Sequence, residues 1–250
     1  MPFTFSHPSI VLPLTYLPKK WISLTGIVIG SLTPDFEYFL RMKIQSTYSH
    51  TIHGILRFDL PLGLLIAFLF HNIIRNDLYK NLPTFLKSRF GDFRSFSWNK
   101  YFKENWCIVI LSMIIGIVSH ILWDNFTHQD AYLVQTIPFL TKIINIYNLE
   151  IPIFKILQHL STIVGGSIIV YIIYKLPNKK VIKSIINLDY WFTLSLLALI
   201  IFLIRLGIQE VTIKQYGNII VTAISSILLS LIITPLIIKQ IRYINKQIFD

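Results

Sequence analysis

The sequence predicts an all-α, polytopic membrane helical bundle of about five spanning helices, preceded by short buried or re-entrant helices. Three observations carry this expectation. Apolar residues make up 54% of the 250-residue chain and charged ones 14%, where soluble domains hold about half and about a quarter. The mean hydropathy is +0.61. The apolar residues also gather into runs close to the roughly 20 residues that a helix needs to cross a bilayer.

Two further counts exclude classes of function. The net charge of +11 comes from basic residues scattered between apolar runs, a pattern that fits cytoplasmic loops and anionic lipid headgroups. No nucleic-acid-binding module accompanies it, so nucleic acid is not expected as a partner. The single cysteine, Cys107, lies inside an apolar run. An intramolecular disulfide and a cysteine-based zinc cluster are thereby excluded, and any metal must be held by His, Asp and Glu.

In chain order, residues 1–20 are apolar but broken by Pro2, Pro8, Pro13 and Pro18, too interrupted for a span. Pro8 fits the first position of a short helix with His7 near its cap. The prolines and the late Lys19 and Lys20 do not make a cleavable signal peptide. Residues 21–32 are too short an apolar run to span, and they meet Thr33-Pro34-Asp35-Phe36-Glu37, so they read as a buried or re-entrant helix ended by a polar turn. Residues 41–57 are polar and carry His50 and His53, three apart and so on one helical face.

Five spans are expected, at about 58–74, 105–123, 160–176, 190–206 and 218–238. Arg75, Lys80, Lys87, Arg89, Arg94, Lys100 and Lys103 crowd the loop between the first two, which places that loop in the cytoplasm. Only Lys142 and Lys155 are cations in 124–158, on the outer side. Lys175, Lys179, Lys180 and Lys183 follow the third span inside, Lys214 lies between the last two, and Lys239, Arg242 and Lys246 set the C-terminus in the cytoplasm. One domain over 1–250 is expected, with a metal-site core at 1–176 and a helical scaffold or dimer face at 177–250. A homo-oligomer is compatible with such a face.

The chemistry gathers around SHILWDNFTH at 119–128. His120, Asp124 and His128 recur at i, i+4 and i+8, one broad face of a helix, at the end of an apolar run. Imidazole and carboxylate on one face form half of a divalent metal site, and ionisable groups at a membrane helix end mark function by default. The alternative is three ordinary polar residues on an exit turn, with Trp123 as an interfacial anchor. His7, Asp35 with Glu37, His50 with His53, and His159 also interrupt apolar runs. Each has a plain reading: His7 as a helix cap, Asp35 as a turn residue, Glu37 as a solvated neighbour, His50 and His53 as interfacial residues. His71, at the opposite end of its span, reads as structural. The count of such residues on one inferred side supports a site holding a divalent metal, zinc above all. Asp124 and Glu37 are the carboxylates available for acid–base work.

MPFTFSHPSIVLPL, GSLTPDFEYFLRM, YSHTIHGILRFDLPLG, SHILWDNFTH and ILQHLSTIVGG, in order over about 1–170, resemble the bacterial family catalogued as domain of unknown function 4184. More distantly, the Pro-Asp turn, the His-rich segment and the H-x-x-x-D pattern are similar to membrane-bound metal-dependent hydrolases and to zinc-dependent phospholipase C. The resemblance implies metal ligands at Asp35, His50, His120 and Asp124, with His7, His53, His128 and His159 as further candidates. It also implies a bacterial cytoplasmic membrane.

Two functions follow. One is a metal-dependent hydrolase, phospholipase C-like, acting on a phosphodiester or ester such as a phospholipid headgroup at the outer membrane face. The other is a non-enzymatic transporter or assembly protein with a structural metal or polar cluster. A transporter expects ionisable groups through the bilayer depth and paired repeats; the last two spans hold no ionisable residue in their middles, and no repeat is visible in the chain.

Overall fold

The structure, a computed structural model, describes residues 3–147, 149–178, 187–208 and 215–249. Pro2, Lys179, Lys180, Lys183 and Lys214, part of the patterns above, lie outside the described residues. In chain order the elements are α1 (Pro8–Val11), α2 (Leu24–Gly30), α3 (Phe36–Arg41), α4 (Ile52–Asn81), α5 (Thr84–Arg89), α6 (Trp98–Asp124), α7 (Tyr132–Thr136), α8 (Pro138–Thr141), the antiparallel pair β1 (Ile143–Ile146) and β2 (Leu149–Pro152), α9 (Ile153–Lys175), α10 (Leu188–Ile208) and α11 (Tyr216–Phe249). The fold is all-α apart from that hairpin.

Five helices among the described residues are long and apolar enough to cross a membrane: α4, α6, α9, α10 and α11 over Tyr216–Asn245. The chain is a multi-pass membrane protein. The N-terminal helices are short as expected, since the seven residues of α2 rise only about 10 Å against roughly 30 Å of hydrocarbon. The spans start earlier than hydropathy places them, because capping and packing carry helices into polar sequence. Thr51 caps α4, its hydroxyl accepting the Gly54 N–H at 2.9 Å. The expected start of the second span, Asn105, is a kink inside α6, with φ −132° and ψ 25°. Two π-helical turns, Ile55–Asp59 and Phe70–Ile74, interrupt α4. The hairpin was not expected. Its register pairs Ile144 with Ile151 and turns at Tyr147, whose φ is 46°.

The chain divides into two compact units, each discontinuous in sequence. The first comprises Met1–Asp35, Tyr48–Leu64 and Tyr101–Lys175. Here α2 lies flat on α6: the Ser23 N–H donates to Ser112 Oγ at 2.8 Å, and a Cβ at Gly30 would fall on the Met113 carbonyl. Gly116 faces back, where a Cβ would meet the Ile27 carbonyl. Small residues at both positions let the two backbones touch. Residues before α1 dock on α9, with the Phe3 N–H donating to Thr162 Oγ1 at 3.0 Å and Ser6 Oγ donating to the Thr162 carbonyl at 3.1 Å. Val134, Leu140 and Ile153 form a small core under the hairpin with Ile137, Phe154 and Leu157.

The second unit comprises Phe36–Thr47, Leu65–Lys100 and Leu176–Asp250, and pairs α10 with α11. Thr222, Ser225, Ser226, Ser230 and Thr234 form a buried stripe on α11. Ser225, Ser226 and Ser230 donate to carbonyls one turn earlier on the same helix, at 2.7–2.8 Å. His71 has the structural role expected of it, stacked on Trp98 at 4.7 Å with Arg75 Nη1 3.1 Å from its Nδ1.

Candidate metal centre

Four donor atoms, one each from Asp35, His50, His120 and Asp124, lie within 4.8 Å of one another in the first unit. Each arrives from a different local cause. Asp35 closes the 3-10 turn Thr33–Asp35 that follows α2. His120 and Asp124 stand one turn apart at the end of α6, as the i, i+4 spacing expects. His50 precedes the Thr51 cap and is held in the left-handed region at φ 61°, a conformation that non-glycine residues adopt only when their surroundings enforce it.

His120 Nε2 is 3.3 Å from Asp124 Oδ2 and 3.5 Å from Asp35 Oδ1; His50 Nε2 is 3.3 Å and 3.8 Å from the same two oxygens. These separations exceed good hydrogen bonds to nitrogen. Three of the four match instead the edges of a tetrahedral zinc-type site, about 3.3–3.6 Å for bonds of about 2.0–2.2 Å, and the 3.8 Å separation is slightly longer. Asp35 Oδ1, His120 Nε2 and both Asp124 carboxylate oxygens are buried with no hydrogen-bond partner among the described residues. Groups taken out of water without partners are costly, and a cation at their centre removes the cost. Two carboxylates also balance the charge of a divalent ion.

The remaining atoms of Asp35, His120 and His50 have protein partners, the support that a metal ligand needs. Thr4 Oγ1 donates to Asp35 Oδ2 at 2.6 Å. His120 Nδ1 is 2.7 Å from the Ser31 carbonyl, which can only accept, so Nδ1 carries a proton and Nε2 is the nitrogen turned to the site. Ser49 Oγ sits 3.0 Å from His50 Nδ1. Asp35 feels burial, which raises its pKa, but the imidazole of His120 outweighs this and holds the carboxyl below its ordinary value.

The other expected ligands divide into two groups. His7 occupies the cap position of α1 with Pro8 at its first turn, yet its side chain makes no cap hydrogen bond. Its ring stacks on His120 at 3.8 Å, and its Nε2 is 3.6 Å from Asp124 Oδ1. Burial, then repulsion from His120, pushes its pKa down to about 4. His128 also reaches Asp124, with Nδ1 3.6 Å from Oδ1, although α6 ends at Asp124 and the expected continuous helix face through His128 does not exist. Burial lowers its pKa against the pull of Asp124. His53 and His159 are exposed and join no cluster. Because α4 starts after His50, the i, i+3 face expected for His50 and His53 is absent.

Glu37 lies in the second unit, where Arg41 Nη2 approaches its Oε1 at 2.8 Å, the Thr47 N–H donates to the same oxygen at 2.9 Å and Ser46 Oγ donates to Oε2 at 3.3 Å. Thr4, Ser49 and the Ser31 carbonyl were not legible as supports in the sequence, being common residue types without a spacing signal. Asp59, fully buried in the first π turn, lies inside the run expected as the first span and was not singled out. A cavity of about 10 Å³, room for one water, opens between Ser6, His7, Ser9, Ile10, Trp123 and Ser161.

Among curated proteins and among solved structures, nothing matches this chain. Over residues 1–236 it matches the model of the family described as domain of unknown function (DUF4184), and it belongs to that family.

Proposed function

We propose that the protein is a membrane-embedded, zinc-dependent hydrolase acting on a phosphodiester or ester, with a phospholipid headgroup as the substrate class that suits a site at helix ends. The observation that supports this most is the convergence of Asp35 Oδ1, His50 Nε2, His120 Nε2 and Asp124 Oδ2 at 3.3–3.8 Å. A divalent cation held there supplies Lewis-acid polarisation of an ester or phosphoryl oxygen and lowers the pKa of water toward neutrality. The chain's own residues do the rest. Thr4 and Ser31 fix the orientation of Asp35 and His120, so the donors are arranged before anything binds. His50 and His128 are the partly exposed members, with side chains 19% and 31% accessible, and mark the open side where a headgroup enters. The small cavity beside His7 admits water and little else. Asp124 serves as ligand, and Glu37, engaged by Arg41, Ser46 and Thr47, stays outside the chemistry as a structural carboxylate.

A transport path along α11 finds less support, since three of its buried hydroxyls already bond their own helix backbone. The test is metal analysis of the full chain purified in detergent, followed by assay on mixed phospholipid vesicles. The expected result is stoichiometric zinc, lost in His120→Ala and Asp124→Ala, and headgroup release that stops on chelation and returns with zinc. Absence of stoichiometric metal, or metal content unchanged when both residues are replaced, would end the proposal.

A further inference from the structure

Asp124 has two carboxylate oxygens, and the four-donor centre uses only Oδ2. Oδ1 faces a different pair, with His7 Nε2 at 3.6 Å and His128 Nδ1 at 3.6 Å. Oδ1 and both nitrogens of His7 are buried and make no hydrogen bond among the described residues. The His7 side chain is fully inaccessible. A neutral imidazole so placed keeps a lone pair in the ring plane that no hydrogen bond among the described residues uses. Stacking on His120 explains the plane of the ring but leaves its in-plane nitrogens unengaged.

Resting on the metal centre proposed above, we propose that His7, His128 and Asp124 Oδ1 hold a second divalent cation, bridged by the Asp124 carboxylate to the one held by Asp35, His50 and His120. Two nitrogens at 3.6 Å from one carboxylate oxygen fit two edges of the ligand set of a single ion. Nδ1 of His128 also donates to the Asp124 main-chain carbonyl at 3.1 Å. Coordination through Nδ1 breaks that hydrogen bond and moves the proton to Nε2, so the ring stays neutral and no net proton is released. A bridged pair of cations clamps the oxygens of a transferring phosphoryl group, so this arrangement narrows the substrate class from esters in general to phosphate esters.

The test is a cobalt titration of the full chain, stripped of metal by chelation in detergent and followed by visible absorption and bound-metal analysis. Wild type is expected to take up two cobalt ions per chain in two phases. His7→Gln and, separately, His128→Gln are expected to take up one, while His53→Gln, altered at an exposed histidine outside the cluster, takes up two. Unchanged helical circular dichroism and a single elution peak qualify each variant; if His7→Gln misfolds, the partly exposed His128 decides. Saturation of wild type at one ion per chain, or two ions in His128→Gln, overturns the second site and leaves the first standing. A wild type that binds none brings down both.

Discussion

At the scale of single residues, the support of the ligands matters as much as the ligands. Thr4 is buried, and its hydroxyl holds the oxygen of Asp35 that faces away from the centre. Thr4→Val keeps the shape and removes that bond, so metal affinity is expected to fall about 10- to 100-fold, while Thr4→Ser restores it. Competition with a chromophoric chelator measures both. Glu37 gives the opposite expectation. Glu37→Gln weakens its contacts with Arg41, Ser46 and Thr47 and should destabilise the fold by about 2 kcal/mol, within the range for hydrogen bonds to a charged group with a partly exposed partner. Its zinc content should equal that of wild type, and thermal unfolding with metal analysis checks the pair of outcomes. Sequence spacing made His120 and Asp124 legible, since one helical turn separates them. It could not separate His50 from His53, because that depends on where Thr51 starts a helix. Nor could it separate His7 from an ordinary helix cap, because the partner of His7 lies more than a hundred positions away.

At the scale of elements, the centre depends on how closely α2 lies on α6. The Ser31 carbonyl that orients His120 follows directly on α2, and Gly30 and Gly116 set the distance between the two helices. Gly30→Ala would drive a methyl into the Met113 carbonyl, which is backbone and cannot step aside. The expected results are a lower melting temperature and at least about tenfold weaker zinc binding, by displacement of the Ser31 carbonyl. Gly207→Ala is the matched control, because a Cβ there meets nothing within 4 Å. It should leave zinc binding unchanged and stability equal or higher, by up to about 1 kcal/mol from helix propensity. The short N-terminal helices were legible from their apolar length and their prolines. Their seating on α6 was not, since small residues are read as interfaces only once the facing backbone is known.

At the scale of the whole molecule, the five apolar helices were legible because a span needs a length of apolar chain that little else in a protein requires. Their ends were less so, and the hairpin β1–β2 escaped notice because eight residues of strand among apolar helices leave no hydropathy signature. Charge predicts which side of the membrane holds the candidate metal centre. Seven cations lie in 75–103, before and at the start of α6, and only Lys142 and Lys155 lie in 124–158 beyond its end. Beyond its kink at Asn105, the stretch 106–124 of α6 rises about 29 Å, close to the hydrocarbon thickness, so its two ends fall on opposite sides of a bilayer it crosses. The prediction from the positive-inside rule is that 75–103 faces the cytoplasm and Asp124 the outer side. With Cys107 replaced by serine, single cysteines at Tyr147 and Phe85, 97% and 51% exposed, report the two sides. A membrane-impermeant maleimide applied to intact cells should label the cysteine at 147, and the one at 85 only after permeabilisation. The reverse pattern would turn the centre toward the cytoplasm, where its substrate and its cation would have to be drawn from the inner leaflet and the cytosolic metal pool.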